Sequence, residues 1–202
     1  MRPASGNGVL ATTSSAEKVS KINILVVISS HKAANLIRDL FLQLGFSNIF
    51  VARDAADAVQ MLREIRVHLI VADSELRVSP KDAQTAEEIE LSGIRFVERL
   101  RHAQQSPAPF IPVLMLMDHA RSHEVRRARD AGVNEVILRP MQARDFCARV
   151  VNLIDKPRVF ITAPSFKGPC RRHQEGPPPG VDERRVREVR LIRCDEMKGK
   201  CT

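Results

Sequence analysis

Residues 24–31 read ILVVISSH, an unbroken apolar run from Ile24 to Ile28 that turns small and polar at Ser29, Ser30 and His31. A run this short and β-branched suits a strand buried in a parallel sheet, and the polar exit suits its C-terminal end. In open α/β sheets, ligands and reactive groups gather at that edge. Here the strand arrives carrying only an isoleucine and two serines.

Outward from this strand, apolar runs alternate with helical patterns. After the strand at 22–28, residues 33–44 place Leu36, Ile37, Leu40, Phe41 and Leu44 on one helical face, and Gly45 stands where a helix closes. A second strand at 48–51 precedes a helix at 55–66 with Ala55, Val59, Leu62 and Ile65 inward. A third strand, 69–72, ends at Asp73. A helix at 94–102 and a fourth strand at 111–117 follow a long polar stretch. A helix at 124–131 closed by Gly132, a fifth strand at 135–138 and a last helix at 142–154 complete the series. Five strands alternating with five helices predict a doubly wound parallel α/β sheet, with Ile24, Val26, Leu69, Val71, Val113, Met115 and Val136 at its centre.

Composition sets the outer bounds. The 202 residues are 44% hydrophobic, enough for a core in one or two domains. No apolar stretch has the length of a membrane span or a signal peptide. Cys147, Cys170, Cys194 and Cys201 show no framework spacing and read as reduced thiols of a cytoplasmic protein. The net charge of +8 is concentrated at one end: residues 156–202 hold twelve Lys and Arg against six Asp and Glu, leaving only +2 for the first 155.

The segment ARDAGVNEVILRP, residues 128–140, resembles the AxxAGAxxxxxKP ending of the receiver domain of bacterial response regulators, the CheY-like proteins. LQLGF at 42–46, VARDAADAVQML at 51–62 and PVLMLM at 112–117 resemble other parts of that domain in the same order. The resemblance covers about residues 21–155. It implies a flavodoxin-like sheet of order 2-1-3-4-5 and a site at the ends of strands 1, 3, 4 and 5.

Position by position, the resemblance makes Asp73 the phosphoacceptor equivalent. The acidic pair that would hold magnesium falls on Ile28 and Ser29. The switch hydroxyl falls on Met117, the aromatic switch on Val136, and the lysine before the final proline on Arg139. One of these six positions, Asp73, keeps its usual residue. Magnesium wants near-octahedral oxygen ligation, which Ile28 and Ser29 do not offer beside Asp73. Phosphoryl transfer needs a cation to neutralise charge on the equatorial oxygens. Met117 has no hydrogen to donate, and Val136 is too small to swing as a lever. The expectation is a degenerate, pseudo-receiver site, with magnesium binding lost or weak and Arg139 paired statically with Asp73. Asp118 stands as a competitor for the same arginine or a substitute acid. His31, His119 and His123 fall near that edge, and solvated loop histidines are the simpler reading than a metal site.

Two regions depart from the family. An insertion of about 74–92 separates Asp73 from Gly93, where the third helix should open. Such a loop is either functional or merely tolerated. Residues 1–20 read as a disordered N-terminal segment. Residues 156–202 read as a basic, Pro/Arg-rich tail that is extended and without a core of its own, with a short helix at 182–193. Its Cys170, His173, Cys194 and Cys201 are too irregularly spaced for a zinc motif. Arg171, Arg172, Arg184 and Arg185 are similar in kind to arginine-rich tails of some receivers that bind cyclic di-GMP, and form a candidate anion site.

The leading functional reading is therefore a two-component, phosphorelay-type signalling protein. It would act as a degenerate receiver, bind a signalling partner without phosphorylation, and work as no enzyme. A conventional receiver phosphorylated on Asp73 and a sensor of a cyclic dinucleotide are the alternatives. A nucleic-acid role finds little support, because the chain lacks Trp and Tyr and only Phe160 and Phe166 could stack bases in the tail.

Overall fold

Each serine of the ISS exit has a separate structural task. Ser29 Oγ donates to the Arg53 carbonyl at 2.9 Å, tying the end of the first strand to the end of the second. Ser30 is the N-cap of the first helix, its hydroxyl accepting from Ala33 N–H at 3.4 Å. These contacts come from a computed structural model, which describes residues 21–76, 92–119, 121–156, 158–163, 166–170 and 190–192.

The first strand, β1, is Asn23–Val27, followed by α1 at His31–Gln43, β2 at Asn48–Ala52, α2 at Ala55–Glu64 and β3 at Leu69–Asp73. After the insertion come α3 at Ser92–His102, β4 at Val113–Met117, α4 at Ser122–Asp130, β5 at Glu135–Leu138 and α5 at Ala143–Asp155. The five strands form one parallel sheet of order β2-β1-β3-β4-β5, the doubly wound flavodoxin-like topology. Val27 pairs with Ala72 and Asp73 with Leu116, so the sheet's register sets Ile28, Asp73 and Leu116 in one row at the C-terminal edge.

Alternation along the strands splits the core into two layers. Leu25, Val27, Ile70, Ala72 and Met115 face α2, α3 and α4, meeting Leu62, Val97 and Ala128. Ile24, Val26, Ile28, Val71 and Leu116 face α1 and α5. There Phe41 is edge-on to Phe46 and to Phe146, with ring centroids 5.6 and 5.2 Å apart. Each such fully buried side chain contributes about 1.5–3 kcal/mol of transfer free energy. One helix assignment needs correcting in detail. Leu36 is not on the inner face of α1 but 60% exposed, because the buried stripe runs Ala34, Ile37 and Phe41. On α2, Leu62 is buried and Ala55 and Val59 pack against the core, with Ala58 buried beside them.

Ser92 fastens the two ends of the insertion. Its hydroxyl accepts from Leu76 N–H at 2.6 Å and donates to the Leu76 carbonyl at 2.9 Å. The next residue, Gly93, donates to the Ser74 carbonyl at 2.8 Å. The described residues on either side, Ser74 and Leu76 before and Ser92 and Gly93 after, are thus held together. Residues 77–91 lie outside the described residues, as do 1–20.

The expected coreless tail needs a larger correction. Phe160–Ala163 (β6) and Phe166–Pro169 (β7) pair antiparallel, and Arg190–Ile192 (β8) pairs antiparallel with the other side of β6. The helix placed at 182–193 is therefore overturned at Arg190–Ile192; the rest of that stretch lies outside the described residues. Apolar anchoring explains the hairpin. Phe160 is buried and edge-on to Phe110 at 5.9 Å, and its ring lies 5.0 Å from the Arg101 guanidinium. Arg158 reaches Glu135 at 3.5 Å. Gly132, at φ +92°, lets β7 approach closely: a Cβ there would meet the Lys167 carbonyl at 2.7 Å.

Candidate functional site

The C-terminal edge of the sheet brings Asp73, Arg139 and Asp118 together. Asp73 ends β3 and is buried. Arg139 follows β5, its backbone N–H bonded to the Met117 carbonyl at 2.8 Å and its bond to Pro140 cis. That anchoring aims the guanidinium across the row. Arg139 Nη2 lies 2.9 Å from Asp73 Oδ1 as both a hydrogen bond and an ion pair. Arg139 Nε lies 2.6 Å from Asp118 Oδ1, but its N–H does not point along that line, so this contact is charge against charge rather than a hydrogen bond. One arginine thus holds two carboxylates, the buried Asp73 and the half-exposed Asp118.

Burial pushes the Asp73 carboxyl above its ordinary range, while the Arg139 charge, the Glu75 N–H and the Arg139 hydrogen bond pull it back, and Asp118 adds a further upward push. A carboxyl with a raised folded pKa binds more protons folded than unfolded, so its ionised form opposes folding as pH rises through that interval. Asp73→Asn should therefore melt several degrees higher than the wild type at pH 7, with the gap closing below about pH 4, where unfolded Asp is itself protonated. Melting curves from pH 3.5 to 8 measure this, and a wild type more stable than the variant at neutral pH contradicts it.

The remaining positions are placed as follows. Ile28 is buried under α1, and its N–H bonds the Ala52 carbonyl at 3.1 Å. Met117 is buried, and half-buried Val136 borders a cavity of about 290 Å3 with Val125, Arg129 and Pro169. His31 opens α1 with Nδ1 3.0 Å from Asn35 Nδ2, and His123 lies 3.9 Å from Glu124. Among the described residues no group of three His, Cys, Asp or Glu side chains is gathered as metal ligands. Arg171, Arg172, Arg184, Arg185, His173, Cys194 and Cys201 lie outside the described residues. Among the described residues no helix is long and apolar enough to cross a membrane.

Sequence reasoning missed Arg101 entirely. Its guanidinium is fully buried and donates to the carbonyls of Gly132, Pro109 and Ile111 and to Asn134 Oδ1, at 2.7–3.4 Å. At the end of a polar helix it reads as one more solvated base, and no local pattern distinguishes it.

The family described as the response regulator receiver domain matches residues 24–151. The chain belongs to this receiver family. It is 26% identical over 135 residues to the chemotaxis protein CheY of Pseudomonas aeruginosa, covering 67% of this chain and 98% of that protein. It is 28% identical over 123 residues to CheY-3 of Vibrio cholerae, covering 60% of this chain and 83% of that protein. The fold is similar to a CheY-like receiver from Methanospirillum hungatei, with a TM-score of 0.54 and 16% identity over 67% of this chain and 94% of that one. It is also similar to the receiver domain of a sensor histidine kinase from Pseudomonas aeruginosa, a structure with magnesium coordinated in its active-site cleft. There the TM-score is 0.54 and the identity 20%, over 67% of this chain and 98% of that one. Receiver membership puts the chain in two-component signalling.

Proposed function

We propose that this receiver works as a protein-docking module of two-component signalling in one default conformation, without phosphorylation of Asp73, without resident magnesium and without catalysis of its own. The observation that carries this reading is the 2.9 Å pair between Arg139 and Asp73. A guanidinium neutralises the carboxylate where the family would use a metal ion, and it occupies the oxygen that would attack phosphorus.

The surrounding donors support the same reading. Ile28 brings no oxygen and is buried. The Ser29 hydroxyl donates to Arg53, and magnesium, which demands several well-placed oxygens, is poorly matched to one arginine-paired carboxylate. Met117 offers no hydroxyl to follow a phosphoryl group, and Val136 no ring to follow the hydroxyl. The partner is a signalling protein that recognises the receiver's surface in its single form.

Asp73 does occupy the end of β3, which favours one second reading, a conventional phosphoacceptor. Incubation with magnesium and acetyl phosphate followed by intact mass measurement separates the two. The docking reading expects unmodified protein. A stoichiometric phosphoryl adduct that disappears in Asp73→Ala would overturn it.

A further inference from the structure

A cleft with no assigned role lies on the other side of β1 from Arg139, between α1 and the end of β2. It encloses about 230 Å3, and its floor is apolar, made by Ile28, Ala34 and Val51. Its rim is cationic and polar, made by His31, Asn35, Arg38 and Arg53. His31, Asn35 and Arg38 are spaced by four and three residues and so share one stripe of α1, while Arg53 comes from the end of β2.

The rim holds donors in excess. Neither Arg38 nor Arg53 has an ion-pair partner among the described residues. The carboxylates beside Arg53 are engaged elsewhere: Asp54 caps α2 through Asp57 N–H at 2.8 Å, and Asp57 accepts from Arg53 N–H at 3.2 Å. His31 Nδ1 accepts from Asn35 Nδ2, which leaves the ring proton on Nε2 as a further donor. Two guanidiniums and an imidazole N–H thus border a small cavity with no carboxylate in its lining.

We propose that this α1–β2 cleft binds a phosphomonoester that carries a compact apolar group. Guanidinium forks suit tetrahedral phosphate oxygens, and donors from three residues match the three terminal oxygens better than the two of a carboxylate. The apolar floor receives the organic part. The cleft of about 230 Å3 has room for a single small ester. Ile28 links this cleft to the neighbouring edge: the residue that provides no oxygen beside Asp73 forms the floor here. The site is separate from the Asp73–Arg139 pair and involves no covalent step.

Phenyl phosphate, titrated into the full-length chain and followed by amide NMR shifts, tests this. Saturable shifts should map to residues 28, 35, 38 and 53, with benzoate binding at least about tenfold more weakly. Arg38→Gln and Arg53→Gln should each weaken phenyl phosphate about tenfold, as loss of one charge-assisted contact does, and the double variant should show no saturable binding. All variants should melt with the wild type, because both side chains are solvent-facing and unpaired. Absence of saturable binding, binding that survives the double substitution, or benzoate as tight as phenyl phosphate would each overturn the proposal. These outcomes do not depend on whether Asp73 accepts a phosphoryl group.

Discussion

Gly93→Ala should leave little folded protein. A Cβ at residue 93 would lie 1.9 Å from the Asp73 carbonyl oxygen and 2.8 Å from that of Ser74. Both neighbours are backbone and neither can yield cheaply. Ser74 N–H is bonded to the Leu116 carbonyl at 2.8 Å, and the Ser74 carbonyl accepts from Gly93 itself at 2.8 Å. Overpacking a core ordinarily costs about 1–3 kcal/mol, and a contact this short against fixed backbone should exceed about 4 kcal/mol. Relief would require α3 to withdraw from β3, which breaks the seam that Ser92 closes and displaces Asp73 at the same time. Soluble yield and thermal melting measure the effect. A variant that melts within a few degrees of the wild type contradicts it.

Arg101→Ala should lower the melting temperature by about 10 °C, corresponding to a loss of about 3–5 kcal/mol. Burial pushes the Arg101 guanidinium down to about 9, so it is still charged at neutral pH in a dry site. No carboxylate pairs with it among the described residues. Because the folded state binds this proton less tightly than the unfolded state, its burial opposes folding below about pH 9, and that penalty fades as pH rises toward the unfolded value. The charge is held instead by the Gly132, Pro109 and Ile111 carbonyls and by the Phe160 ring. Removing the side chain ends the desolvation penalty. It also leaves three carbonyls without their donor and opens a cavity beneath Phe160, and these losses are larger. Arg101→Met, which fills the volume without donating, should fall between Ala and the wild type. Urea unfolding at pH 7 provides the comparison, and an Ala variant as stable as the wild type would refute this account of the site.

These two positions show where local reading ends. The five strands were legible because β-branched runs such as ILVV and LIVA repeat between helical patterns, and periodicity depends only on neighbours in the chain. Asp73 and Arg139 were legible as a pair because the segments around them resemble receiver segments at matching spacings. Leu36 was misplaced because a helix's apolar stripe can shift by one residue, and only α5 and the sheet choose which side is covered.

The hairpin was missed for a related reason. The proline and glycine content of residues 156–180 argues for an extended chain, but Phe160 gains its burial from Phe110 and Arg101, and β7 its close approach from Gly132, all distant in sequence. By itself, then, the sequence determined the element order, the receiver topology and the absence of a side-chain oxygen at Ile28 and Met117, since these follow from residue type and spacing. The burial of Arg101, the closure of the insertion by Ser92, the hairpin over Phe160 and the cleft of Arg38 and Arg53 were decided only by the tertiary structure. Each depends on groups far apart in the chain meeting away from water, where an unpaired donor, carbonyl or Cβ carries an energetic cost that no local pattern encodes.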